Sequence, residues 1–145
     1  MSIFKNLRVG KSGEITTFEI VTLRESGMRY TVEYEIILKN GQAEISRYGI
    51  RYHQHKDERI LERRALCDVN SILKVFNDCR ILSWDGFNGP HPKGVLDGIM
   101  FSFHATVNEG QKISAHGSQN FPRYYKDFTG ALHTLLENQK EEHCS

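Results

Sequence analysis

Apolar and polar residues alternate with period two from Tyr30 to Leu38, where Tyr30, Val32, Tyr34, Ile36 and Leu38 interleave with Thr31, Glu33, Glu35 and Ile37. That pattern predicts a strand with one apolar face. Glu14 to Leu23 is rich in β-branched and aromatic residues and predicts a strand before it, joined through Glu25-Ser26-Gly27. Asn40-Gly41 then supplies the strongest short hairpin signal, because a type I′ turn needs positive φ at both central residues. With these two residues central, Lys39 faces Gln42, Ile36 faces Ile45, Tyr34 faces Arg47 and Tyr30 faces Arg51. Tyr48, Ile50 and Tyr52 fall on the opposite face with Glu33 and Glu35. The first half is thus expected to be an antiparallel meander of three strands.

Beyond it the period changes. Leu61, Ala65, Val69, Ile72 and Phe76 recur every three or four residues, with Arg59, Glu62, Arg63, Asp68 and Lys74 between them. This spacing predicts one amphipathic helix, capped by Asp57 and running to about Asn77. Arg80 to Trp84 reads as a short strand. Gly98 to Val107 and Lys112 to Gly117 read as a second hairpin, turning at Asn108-Glu109-Gly110 through a type I turn with Gly110 left-handed. Phe101, Phe103, Ala105 and Val107 share its apolar face with Ile113 and Ala115. Pro122 suits the first turn of a closing helix whose buried stripe is Phe121, Tyr125, Phe128, Leu132 and Leu135. Gly130 inside that helix costs about 1 kcal/mol relative to Ala, which the stripe outweighs.

The expected class is α+β, a mainly antiparallel sheet in the order β-β-β-α-(β)-β-β-α with both helices packed on one face. No repeat, low-complexity tract or linker divides residues 1–145, so one domain is expected. Its N-terminus is expected to fray over about residues 1–10 and its C-terminal tail over about 139–145.

Composition narrows the functional classes. At 145 residues, 39% hydrophobic and 26% charged, the chain can bury a real core and lies far from the disordered regime. Nineteen Lys and Arg against eighteen Asp and Glu leave a formal charge of +1, which argues against a nucleic-acid binder that relies on bulk charge. No apolar run approaches the roughly 18 residues that would span a membrane, and the N-terminus lacks the apolar centre of a signal peptide. Cys67, Cys79 and Cys144 are odd in number and form no Cys-x-x-Cys pair, so neither a disulfide framework nor a structural zinc site is expected. These features point to a reduced, cytoplasmic chain without a cofactor.

Few residues suggest chemistry. Gly10-Lys11-Ser12 resembles the end of a phosphate loop, but Lys5 stands where its first Gly belongs and a strand follows where a helix should. His53 and His55 could hold a metal with Asp57 or Glu58, although a third ligand would have to come from elsewhere. His104 and His116 form the sharper pair, both pointing away from the apolar face of the second hairpin, with His91 able to approach from the loop. Cys67 lies within the expected helix rather than at an N-terminus that would favour a thiolate. Asp85 and Asp97 each precede Gly and read first as turn residues. Arg29, Arg47, Arg51, Tyr30 and Tyr34 on the first hairpin are the best case for nucleic acid, yet both tyrosines share the apolar face.

The segment Trp84 to Gly94, with Phe87, His91 and two prolines, fits recognition best, because aromatics anchor and prolines limit the entropy lost on docking. The favoured reading is a small non-enzymatic binding domain, of inhibitor or immunity type, that engages a protein partner through this loop. The binding residues expected are Trp84, Phe87, His91, His104 and His116, with no catalytic residue and no metal. The alternatives are a metal-dependent or acid–base enzyme using His104 and His116, and a nucleic-acid binder using the Arg47/Arg51 hairpin.

Overall fold

The computed structural model describes residues 13–96 and 98–144, with 139–144 described as backbone alone. Phe18–Ser26 (β1), Thr31–Lys39 (β2), Gln42–His53 (β3) and Lys56–Cys67 (β4) form an up-and-down run. It is completed by Asn88–Gly89 (β5), Met100–Val107 (β6) and Gln111–Ser118 (β7) in one seven-stranded sheet ordered β4-β3-β2-β1-β6-β7-β5. Two helices, Val69–Asp78 (α1) and Tyr125–Cys144 (α2), make this an α+β fold. Asn40 and Gly41 have φ of 52° and 79°, both in the left-handed region a type I′ turn requires. The register follows from that turn: Lys39 pairs with Gln42, Ile36 with Ile45 and Tyr34 with Arg47. The ladder ends at Val32 and Gly49, so Tyr30 stands outside β2 and does not reach Arg51.

The helix expected from Asp57 to Asn77 is instead a strand followed by a shorter helix. Lys56–Cys67 pairs along its whole length with β3, and the observed element order is β-β-β-β-α before the second half begins. The joining turn is Gln54-His55, with φ of 50° and 65°, residues that carry no Asn-Gly signature. A free β3 edge of twelve residues would expose a row of unpaired backbone groups, and pairing with β4 satisfies them. Charge pairs hold β4 in place. Arg59 reaches Glu33 at 3.4 Å and Glu35 at 3.5 Å, and its guanidinium lies 3.7 Å over the Tyr48 ring. Glu62 is the extra residue of a bulge between the Arg47–Arg63 and Tyr48–Leu61 pairs, and its carboxylate sits 3.1 Å from Arg47 Nε. The true helix cap is Asp68, whose side chain accepts from Ser71 N. The apolar spacing of Leu61 and Ala65 was helical by coincidence; only Ile72 and Phe76 of that stripe are helical core.

Further corrections concern the second half. Ile81–Trp84 is a 3-10 turn rather than a strand, entered through left-handed Arg80 (φ 52°), with Ser83 Oγ donating to Arg80 O at 2.7 Å. A strand would have turned Leu82 away from Ile81, whereas the tight turn buries Ile81, Leu82 and Trp84 together. The β6–β7 loop has the expected three residues, but Asn108 and Glu109 are left-handed (φ 48° and 61°) as well as Gly110 (φ 113°). Asn108 is captured from outside the hairpin: its Oδ1 accepts from Thr16 N at 2.8 Å and its Nδ2 donates to Glu14 O. Pro122 lies before α2 rather than in it, its carbonyl accepting from Tyr125 N at 3.2 Å.

The core gathers Phe18, Leu23, Tyr34, Ile36, Phe101 and Phe103 of the sheet with Phe76 of α1 and Phe128 and Leu132 of α2. Edge-to-face contacts join Phe18 to Phe76 at 5.3 Å and Phe103 to Phe128 at 5.9 Å. No helix among the described residues is long and apolar enough to cross a membrane.

Candidate functional site

Trp84, expected to anchor a partner, is only 1% exposed. It packs against Phe103 at 4.9 Å and Phe128 at 5.4 Å, and its Nε1 donates to Arg123 O at 3.0 Å. It therefore fastens the base of the loop to the core. Phe87 is half-buried against Phe101, with centroids 6.1 Å apart. The segment between them is tied to β7. Gly86 N donates to Ser114 O, Asp85 Oδ1 accepts from Ser114 N at 3.0 Å, and His116 N donates to Phe87 O. Asn88 and Gly89 extend this tie as a short parallel pair with His116 and Gly117. The Asn120 backbone carbonyl crosses directly over Gly89 and Gly117, so close that a Cβ on either would collide with it. That crossing requires glycine at both positions. His91 closes the loop on itself through Ser118 Oγ at 2.8 Å and the Val95 carbonyl.

Apolar side chains stand exposed at the end of the sheet beside this loop. Leu96 is 96% exposed, Met100 58% and Met28 75%, and Tyr30 and Val95 are also exposed. They share one end because Met100 pairs with both Ser26 and Ser118, Met28 lies two residues beyond Ser26, and Val95, next to Leu96, is tied through its carbonyl to His91, which in turn meets Ser118. Apart from Tyr30, none of them stands out in the sequence. Met28, Val95 and Leu96 occur singly or as a pair in turns, where no periodicity marks them, and Met100 opens a strand with its side chain away from the core.

The other candidates separate. His104 and His116 both project from the outward face and are exposed, His104 opposite Ser114 and His116 opposite Ser102, so the two imidazoles are diagonal. His91 is engaged with Ser118 and Val95 instead. His53 ends β3 while His55 is in the turn, where its Nδ1 meets Tyr52 Oη at 3.4 Å. Among the described residues no three His, Cys, Asp or Glu side chains gather in a way that could hold a metal ion. Asp97 and Gly10-Lys11-Ser12 lie outside the described residues.

The arginine–tyrosine cluster does not stand together. Tyr34 is buried with its hydroxyl 3.0 Å from His133 Nε2, and Arg47 lies over its ring while paired with Glu62. Arg29, Tyr30 and Arg51 are exposed. Burial pushes the Cys67 thiol up to about 11, with the Asp68 charge adding to it, and burial does the same for Cys79, also to about 11. Neither has the thiolate character of a nucleophile.

No protein-family model matches this chain, and no curated protein and no solved structure matches it either.

Proposed function

We propose that the chain is a small non-enzymatic, cytoplasmic binding domain, inhibitor-like in character, that engages a protein partner through the Trp84–Gly94 loop and the apolar residues flanking it. In this reading both helices cover one face of the sheet, and Trp84 holds the loop from inside while Phe87 and His91 shape it. The contact itself is made by Val95, Leu96, Met100 and Met28. The observation that carries the proposal is Leu96 at 96% exposure beside Met100 at 58%. Ordering such side chains in water has no compensation in the free domain, whereas burying one against a partner contributes about 1.5–3 kcal/mol. Cys67 and Cys79 are free thiols, which suits a reducing compartment.

The test is a Leu96→Asp, Met100→Glu double variant used as bait beside the wild-type chain. Both side chains are exposed, so its melting temperature should stay within a few degrees of wild type. A partner retained by the wild type should be lost from the variant. Equal retention by both would place the interface elsewhere and overturn the proposal.

A further inference from the structure

The outward side of β1, β6 and β7 carries a second arrangement, independent of the loop. Strand pairing sets Thr22, His104 and Ser114 in one row and Arg24, Ser102 and His116 in the next. Asn88 of β5 continues the second row beside His116. The two imidazoles thus occupy opposite corners of a quartet whose other corners are serine hydroxyls. Diagonal neighbours of this kind are about 7–8 Å apart at the backbone, close enough for two long side chains to meet one small group. His104 Nδ1 already lies 3.4 Å from Ser114 Oγ.

Charge is divided across this face. Acidic residues of the sheet's outward side stand on β2, β3 and β4, where Glu33 meets Arg24 and Arg59, Glu44 meets Lys39 and Arg64, and Asp57 meets Arg24. The outward residues of β6 and β7 include no Asp or Glu. The charged and titratable groups nearest the quartet are Arg24 from β1, Lys112 from β7, and Asp85 and His91 from the loop, with Glu33 and Glu35 of β2 further along the same two rows and both paired with arginine. Arg24 is spent on Glu33 and Asp57. Lys112 donates to Thr106 Oγ1 at 3.0 Å and has no ion-pair partner among the described residues. Asp85 is turned to Ser114 N and His91 to Ser118.

We propose that the diagonal of His104 and His116, with the hydroxyls of Ser102 and Ser114, binds a phosphate-type oxyanion. Two imidazole rings, cationic when protonated, match a tetrahedral oxyanion together with two hydroxyl donors, and the facing carboxylate of Asp85 is already engaged by Ser114 N. A metal ion fits less well, because imidazole-bound zinc takes three or four protein ligands and no third is at hand here.

The experiment titrates sulfate, whose charge does not change with pH, and inorganic phosphate, while the histidine ring protons are followed by NMR. At about pH 5.5 both ions should shift His104 and His116 together and saturably. His104→Gln and His116→Gln should each weaken binding about fivefold or more, and the double variant should abolish it, while His53→Gln leaves it unchanged. Absence of a saturable shift, equal binding by the double variant, or shifts confined to His53, His55 or His91 would overturn the proposal. So would tight zinc binding by the pair in ion-free buffer together with no response to either oxyanion. These readouts do not involve Leu96 or Met100, so this site and the loop surface stand or fall separately.

Discussion

Glycines show most sharply how single residues determine this backbone. At Gly41 φ is +79° and a Cβ would meet nothing within 4 Å, so any cost of substitution comes from backbone conformation alone. Gly41→Val is therefore expected to lose about 1–2 kcal/mol, because a β-branched residue resists the left-handed region. Gly130 has equally open space but lies inside α2, where glycine's freedom in the unfolded chain is a liability. Gly130→Ala is expected to gain about 1 kcal/mol. Urea midpoints of the two variants should move in opposite directions from wild type. A shift of the same sign in both would mean that one of these backbone assignments is wrong. Trp84 teaches the complementary lesson: its type suggested an anchor for a partner, but burial between Phe103 and Phe128 makes it an anchor for the loop.

Among the elements, β4 is the one that local patterning misplaced. Its residues satisfy a helical period, and all but Ala65 are exposed or only half-buried, so no strong alternation announces a strand. What decides its conformation is the partner edge of β3, the ion pairs of Arg59 with Glu33 and Glu35, and the Ser46 hydroxyl that accepts from Arg64 Nε at 2.9 Å. The Gln54-His55 turn holds both residues at positive φ with unfavourable side chains. Replacing them by Asn-Gly should therefore stabilise the fold by about 0.5–2 kcal/mol, read as a raised denaturant midpoint at unchanged slope. Were the chain instead helical from an Asp57 cap onward, residues 54 and 55 would precede the helix and the same change would leave the midpoint nearly unmoved.

On the scale of the whole molecule, the buried acids of high pKa set an alkaline limit. Burial, the hydrogen bond to Glu25 and the Glu25 charge together hold Tyr125 protonated far above the ordinary tyrosine value. Burial raises Tyr34 as well, against the lowering effect of Arg47. Burial and nearby carboxylates raise Cys67 and Cys79 to about 11. Each of these groups is protonated in the fold at a pH where the unfolded chain has released the proton. Their contribution is thus complete below the unfolded values and declines as pH rises, first through the thiols above about pH 9 and then through the tyrosines above about pH 10. For a fully buried group the slope approaches about 1.4 kcal/mol per pH unit. Guanidinium unfolding at about pH 8 and about pH 11 should show the loss, and Tyr125→Phe should flatten it. An identical decline in that variant would remove Tyr125 from the account.

Features held by near neighbours along the chain were legible in the sequence: the Asn40-Gly41 turn, the register running out from it, the alternation in β2 and β6, and the stripes of Ile72, Phe76, Phe128 and Leu132. Backbone dihedral preference and side-chain period act over a few residues, so they survive without any knowledge of the rest of the fold. The tertiary structure alone decided that Lys56–Cys67 becomes an edge strand, that Ile81–Trp84 coils tightly beneath β7, and that β5 runs parallel beside Gly117. It also decided which candidates meet: His104 and His116 share one face, Trp84 sinks into the core, and Leu96 and Met100 stand at one exposed end. Each of those outcomes depends on hydrogen bonds and ion pairs to groups distant along the chain, whose energies no local pattern records.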